Sequence, residues 1–442
     1  MDDHLFNREW SAAALLRFAL PTMVMMLFMG LYTLVDTIFV ARFVNTDALS
    51  AINIVCPVVN LAVGLGTMLA AGGNAIVSRE MGAGRLQKAR EVLTLLVEAA
   101  AAIGVLLLVL GALWLEPIVY ALGASDLLFP YCRDYLGILL LFLPANVIQT
   151  VFSNMFITAG RPGLGFGLSV LAGLTNLVLD YILIAVCGLG IRGAALGTGC
   201  GYLIPTLAGV IFFAGSRNTL SFTRLTWSWG VLRESCLNGS SELVGQLAAA
   251  ITTLLFNRTM MELLGEDGVA AITILIYAQF LLNTVYIGFC MGVAPVIGFH
   301  YGRKNMVQQR KIFQICVGFV TAVSVLVFAL SMLGGPCLVR LFAPGTSDVC
   351  RIASEGFSIF SYSFSFCGLN IFTSAMFTAL SNGKVSAILS FLRTFGLLAG
   401  GILFLPKIWG AAGVWLAVPA AEGIMFFVSI LCLAHNRSRY GD

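Results

Sequence analysis

Apolar runs alternate with short polar, charged or glycine-bearing stretches along the whole chain. Each run exceeds the ~18 residues that a bilayer-spanning helix requires. Twelve lie near residues 15–41, 49–73, 92–115, 135–158, 164–187, 193–215, 236–263, 269–297, 312–334, 355–381, 385–405 and 411–434. A strand-built barrel would instead alternate lipid-facing and lumen-facing residues in segments of ~10, so the pattern predicts an all-α integral membrane protein of twelve transmembrane helices. The opening stretch, MDDHLFNREWSAAALLRFALP, starts with acids and lacks a small-residue cleavage site, so it is expected to persist as the first span.

An even number of spans puts both ends on one face. Seventeen Lys and Arg residues fall on the face of the termini, seven on the other, and Arg393 lies inside the membrane. Basic loops stay in the cytoplasm, so the bias predicts a multi-pass protein of the plasma (cytoplasmic or inner) membrane with both termini cytoplasmic.

The second half repeats the first at an offset of 220 residues. Asp47 matches Asp267, Ala51 Ala271, Gly82 Gly302, Arg90 Arg310, Gly163 Gly383, Gly190 Gly410 and Gly193 Gly413. Six spans per repeat give both halves the same orientation, which predicts two six-helix bundles related by a pseudo-twofold axis along the membrane normal. The expected organisation is a lobe at 1–215, a linker at 216–234 and a lobe at 235–442. In the linker, basic residues interleave with Trp227 and Trp229, as suits either a segment lying at the interface or an ordinary loop.

Composition narrows the function. With 59% hydrophobic residues, 10% charged and a mean hydropathy of +0.96, a soluble enzyme, a nucleic-acid binder and a secreted disulfide scaffold are all excluded. The formal charge of +4 reflects loop bias rather than a polyanionic partner. The eleven cysteines are scattered, without ligand spacing. Only Cys337 and Cys350 could share an outer loop, and the scatter elsewhere argues against a disulfide between them.

A charge at mid-membrane costs at least ~2.5 kcal/mol, so each ionisable residue within a span needs a partner, a wet cavity or a task. Six qualify: Asp36, Glu98, Asp180, Glu242, Arg393 and Glu422. Asp36 and Asp180 sit at depths that agree within ~3 Å, each on a span running toward the outer face. Asn176 lies one turn from Asp180 on the same face, and Thr198 enters at similar depth. These all-oxygen donors suit a hard cation such as Na⁺, or a pair of protonatable acids. Asn238, Glu242 and Gln246, spaced by four, form a polar stripe expected to face an aqueous cavity. Arg393 and Glu422 lie on adjacent spans ~6 Å apart in depth and are expected to form a compensating ion pair. Glu98 is near a span end and can snorkel. Pro21 and glycines 64, 66, 72 and 73 can kink helices, although close packing explains the glycines as well. No histidine falls within the spans as drawn, so no histidine relay is expected.

SREMGAGRLQKA at 78–89, LVDTIFV around Asp36, NLVLDYILI at 176–184, GIRGAALGTG at 190–199, and GVAAITILIY followed by PVIGFHYG together resemble the multidrug and toxic compound extrusion (MATE) family across nearly the whole chain. The resemblance implies a cleft between two bundles that opens alternately to each side, exporting amphipathic, often cationic compounds in exchange for Na⁺ or H⁺. It also implies that Asp36, Asn176, Asp180 and Thr198, with the carbonyl of Ala194, form a first-lobe cation site, that Glu242 is a second-lobe acid, and that the first span bends at Pro21. Some relatives carry an acid in the tenth span, where this chain has only Glu355 at the mouth, so a second-lobe cation site of that kind is not expected. A flippase for lipid-linked precursors would want a strongly basic cleft, and a major-facilitator carrier would want an acid-bearing glycine pattern after the second span. The expected protein is therefore a monomeric antiporter in the lipid bilayer, with small molecules as partners, no enzymatic activity, no nucleic acid and no cofactor beyond the coupling ion.

Overall fold

A computed structural model describes residues 6–44, 46–215, 219–342 and 348–436, with the backbone alone at 34–43, 46, 49, 336, 338 and 341–342. With no water in the hydrocarbon to satisfy N–H and C=O groups, the chain keeps its backbone hydrogen bonds inside helices. The first lobe contains α1 (Ala12–Phe43), α2 (Thr46–Gly82), α3 (Leu86–Leu113), a short helix (Leu115–Ala121), α4 (Phe129–Thr158), α5 (Pro162–Asp180, prolonged by a π-helical stretch Tyr181–Val186) and α6 (Ile191–Ala214). The run Trp229–Gly302 is helical except at Gly265, whose φ of 65° and ψ of −150° favour glycine. It forms α7 (229–264) and α8 (266–302). The chain reverses between them, because Gly239 of α7 and Gly302 of α8 both pack against the final turns of α2. There follow α9 (Met306–Phe342), α10 (Asp348–Phe360 and Phe364–Ala379, joined by a 3₁₀ turn at Ser361–Ser363), α11 (Gly383–Phe391, a π-helical stretch Leu392–Ala399, then Gly400–Trp409) and α12 (Ala411–His435).

Large apolar side chains such as Leu113, Ile211 and Leu333 are exposed on the outside, as lipid-facing positions should be. Inside are two apolar cores. One gathers residues of α2 through α6 together with Leu220 and Leu232, and the other gathers residues of α7 through α12 together with Phe6, Trp10, Leu15, Phe18 and Ala19. The leading segments thus cross over: the start of α1 is packed into the second lobe and the approach to α7 into the first. Trp10 N–H donates to Gln308 Oε1 at 3.3 Å, while Thr223 N–H donates to Thr94 Oγ1 at 3.1 Å.

The pseudo-twofold relation recurs in local geometry. Gly190 and Gly410, which open α6 and α12, have φ/ψ of 56/−133° and 57/−135°. In the turn after α2, Gly84 and Arg85 donate backbone N–H to the carbonyls of Met81 and Glu80; in the turn after α8, Lys304 and Asn305 donate to Tyr301 and His300. The contacts are reciprocal where the lobes meet. Gly82 lies on the carbonyl of Phe299, and Gly302 on that of Arg79.

Four details differ from the sequence reading. The apolar run of the second span stops near 73 but α2 continues to Gly82, because hydrocarbon thickness limits the run whereas only the Gly82–Gly84 turn ends the helix. The linker is shorter than 216–234: Ser228 accepts from Val231 N–H at 3.4 Å and caps α7, which begins at Trp229. His300 lies buried within the last turn of α8, and His435 ends α12, so two histidines do belong to span helices. Gly163 and Gly383 are not structural equivalents. The turn bonds pair Gly160 with Ser381 and Arg161 with Asn382, an offset of 221, so Gly383 corresponds to Pro162.

Candidate functional site

Two polar centres stand at related places, one on α5 and α6, the other on α11 and α12. In the first, Asp180 and Asn176 of α5 are fully buried. Asn176 Nδ2 donates to Thr198 Oγ1 on α6 at 3.3 Å, and Tyr32 of α1 donates its hydroxyl to Asn176 Oδ1. The bare Cα of Gly197 accommodates Asp180: a methyl there would overlap Oδ1 and stand 3.2 Å from Cγ. Ala194 is buried one turn before Thr198. The side chain of Asp36 lies outside the described residues, and its backbone falls one turn beyond Tyr32 on α1. The structure therefore brings Asn176, Asp180, Thr198 and Ala194 to one level on two helices, and adds Tyr32. The tyrosine's place one turn from Asp36 was the available signal. The π-helical stretch beginning immediately after Asp180 had none. The donors are carboxylate, amide and hydroxyl oxygens, which fit a hard monovalent cation or a proton and offer no soft ligand to a transition metal.

In the second centre, Arg393 within the π-helical stretch of α11 donates to Glu422 Oε1 of α12 from Nε at 2.8 Å and Nη2 at 2.6 Å. Asn370 of α10 donates to Glu422 Oε2 at 2.7 Å and accepts from Ser429 Oγ at 2.9 Å. Sequence reading missed Asn370 and Ser429, because buried amides and hydroxyls carry no depth penalty that singles them out. Glu98 is exposed on α3, and Glu355 is exposed beside Arg351 at 3.5 Å. No disulfide joins Cys337 to Cys350.

The stripe on α7 does not face one cavity. Glu242 is exposed, but Gln246 packs beside Gly64 of α2, and Asn238 is buried, donating to the carbonyl of Thr378 at 2.8 Å. Each step of four residues overshoots a full helical turn by ~40°, and α2 and α10 close over α7 at Asn238. Asn238 is therefore removed from the expected cavity lining.

Near the terminal face the lobes are joined by Arg79 of α2 and Glu234 of α7 at 2.8 Å. Glu80 is buried beneath and held by Arg85 at 2.5 Å, and this bond raises the pKa of the exposed Arg85 above its ordinary value. An open cavity of ≈ 640 Å³, lined by Arg79, Arg85, Arg303 and Lys304 among others, lies over this contact.

The MatE family model matches residues 21–182 and 243–399. The chain is 23% identical over 444 residues to the multidrug export protein MepA of Staphylococcus haemolyticus and 25% over 448 residues to that of Staphylococcus aureus, each alignment covering 99% of this chain and 97% of the relative. Its fold is similar to that of a multidrug resistance MATE family transporter of the MOP superfamily in an outward-facing conformation, with a TM-score of 0.92 at 22% identity, and to a MATE protein in the bent conformation, with a TM-score of 0.89 at 22% identity. Each comparison covers 99% of this chain and 98% of the other. Since the family model spans the greater part of both repeats, including α5 with its buried Asp180, the chain belongs to the MatE family.

Proposed function

We propose that this protein exports amphipathic, often cationic compounds in exchange for Na⁺ or H⁺, by alternating access between its two lobes. The observation that carries this reading is the fully buried carboxyl group of Asp180 in the first-lobe centre, one turn from Asn176, which is tied to both α1 and α6. Loss of charge at such a site, by a proton or by Na⁺, removes the main obstacle to its burial. The names of the MepA relatives support a drug-like cargo.

Coupling requires that ion occupancy favour one arrangement of the lobes. In α1, Leu15, Phe18 and Ala19 belong to the second-lobe core, whereas Tyr32 bonds to α5 of the first. Pro21 stands between these attachments, so a shift at the ion site bears on the lobe interface through this one helix. With the basic loops taken as cytoplasmic, the Gly82 and Gly302 contacts hold the lobes together at that side, as an outward-open state of the proposed cycle requires. A flippase reading loses support from Arg393, whose charge is engaged by Glu422 rather than offered to a pyrophosphate.

The test is purified protein in vesicles, with export of a cationic dye followed under an imposed Na⁺ gradient and, separately, a pH gradient. Export driven by one of them is the expected outcome. Export driven by neither overturns the reading.

A further inference from the structure

We propose that Gly197 is a positioning residue for the coupling ion: its missing side chain is what allows Asp180 to present its carboxylate at the first-lobe site. The inference rests on the antiport reading above. It comes from comparing Gly197 with its counterpart in the other lobe.

In the first lobe, any β-carbon at 197 would occupy the space of Asp180 Oδ1, and Asp180 Cγ would be only 3.2 Å away. Both residues are fully enclosed, and α6 is buried there on successive turns at Gly193, Gly197 and Gly201, so neither helix can move aside without disturbing its other contacts. Relief must come from rotation of the Asp180 side chain. That displaces the carboxylate from its place against Gly197, the residue preceding Thr198, whose hydroxyl accepts from Asn176 at 3.3 Å.

The second lobe makes the opposite choice. The turn before α11 sets an offset of 221 and the turn before α12 an offset of 220, so Asp180 corresponds to Gly401 and Gly197 to Ala417. These counterparts also face each other, since a methyl on Gly401 would stand 3.4 Å from Ala417 Cβ. A carboxylate opposite a bare backbone in one lobe is therefore a bare backbone opposite a methyl in the other. Space at this helix crossing is conserved in sum and exchanged in position. The second lobe has no acid here, and its methyl occupies the place of one.

The experiment uses full-length protein in vesicles and in detergent. Gly197→Ala should raise the half-saturating Na⁺ concentration for dye export, or the equivalent proton concentration, by at least about tenfold, the scale of outer-shell effects on metal sites. Equilibrium dye binding should stay within about twofold. A merely structural role would lower both together. Gly167→Ala, at a helical glycine of α5 with open space around it, should leave ion dependence unchanged. Asp180→Asn separates the two readings. If it retains ion-driven export, the antiport site itself is wrong. If it loses export while Gly197→Ala keeps wild-type ion dependence, the positioning role is wrong. Should Gly197→Ala fail to fold, the double variant Asp180→Gly/Gly197→Ala recreates the second-lobe arrangement. Recovery of folded, uncoupled protein then supports the inference, and no recovery overturns it.

Discussion

The α5–α6 and α11–α12 pairs share a glycine-opened second helix and each contain a π-helical stretch, after Asp180 in α5 and before its counterpart Gly401 in α11, yet their electrostatics are opposite. In the first lobe Asp180 lies against Gly197, one turn from the Asn176–Thr198 hydrogen bond; in the second, Glu422 receives two bonds from Arg393 and one from Asn370. A base fixed in the fold neutralises its acid permanently, whereas the antiport proposed above asks the first-lobe acid to be neutralised by an ion that comes and goes. The comparison sets a helix pair held by an internal ion pair against one proposed to exchange an ion.

The strongest way to break this comparison is Asp180→Asn, which should abolish gradient-driven export, a loss of at least about a hundredfold in rate, while leaving dye binding measurable by fluorescence titration; Asp36→Asn should do the same. Wild-type export in either would remove that residue from coupling. Next in size is the second lobe. Glu422→Gln alone should destabilise by ~3–5 kcal/mol, since it leaves a partly buried intramembrane guanidinium without its counter-charge, whereas joint replacement of Arg393 and Glu422 by neutral residues should recover most of the loss in a thermal unfolding series. A stable Glu422→Gln protein that cannot export would move the pair from strut to mechanism. Glu242→Gln, on an exposed face of α7, should weaken export of cationic dyes several-fold more than that of neutral dyes, because a carboxylate in a partly dry cleft attracts cations more strongly than one in water. Equal losses would disconnect it from cargo charge. The smallest effect is expected for Tyr32→Phe, which deletes one hydrogen bond worth ~1 kcal/mol and should shift half-saturation for the ion by about fivefold.

Much of this architecture could be read from the chain. Hydrocarbon admits only helices, so apolar runs locate twelve spans, and the expense of charge in that medium singles out Asp180, Arg393 and Glu422 from sequence. What escaped has physical causes. A π-helical stretch changes one hydrogen-bond step and leaves no hydropathy mark. Gly265 alone turns the chain between α7 and α8, where a loop of several residues was expected. Asn238 shares the spacing of Glu242 but is covered by neighbouring helices, and spacing along one helix does not say what packs upon it. The Gly163–Gly383 match shows the same limit from the other side, since identical letters at a constant offset fell one residue out of register in space.

The crossover of the leading segments constrains how the protein can be made. Trp10, fully enclosed, donates its backbone N–H to a partner 298 residues later in the chain. During synthesis the first turns of α1 must therefore wait, inserted yet without their permanent neighbours, until α8 and α9 have emerged. Neither half can complete its own packing alone, and expression of the two halves as separate chains should yield stable material only when both are produced together.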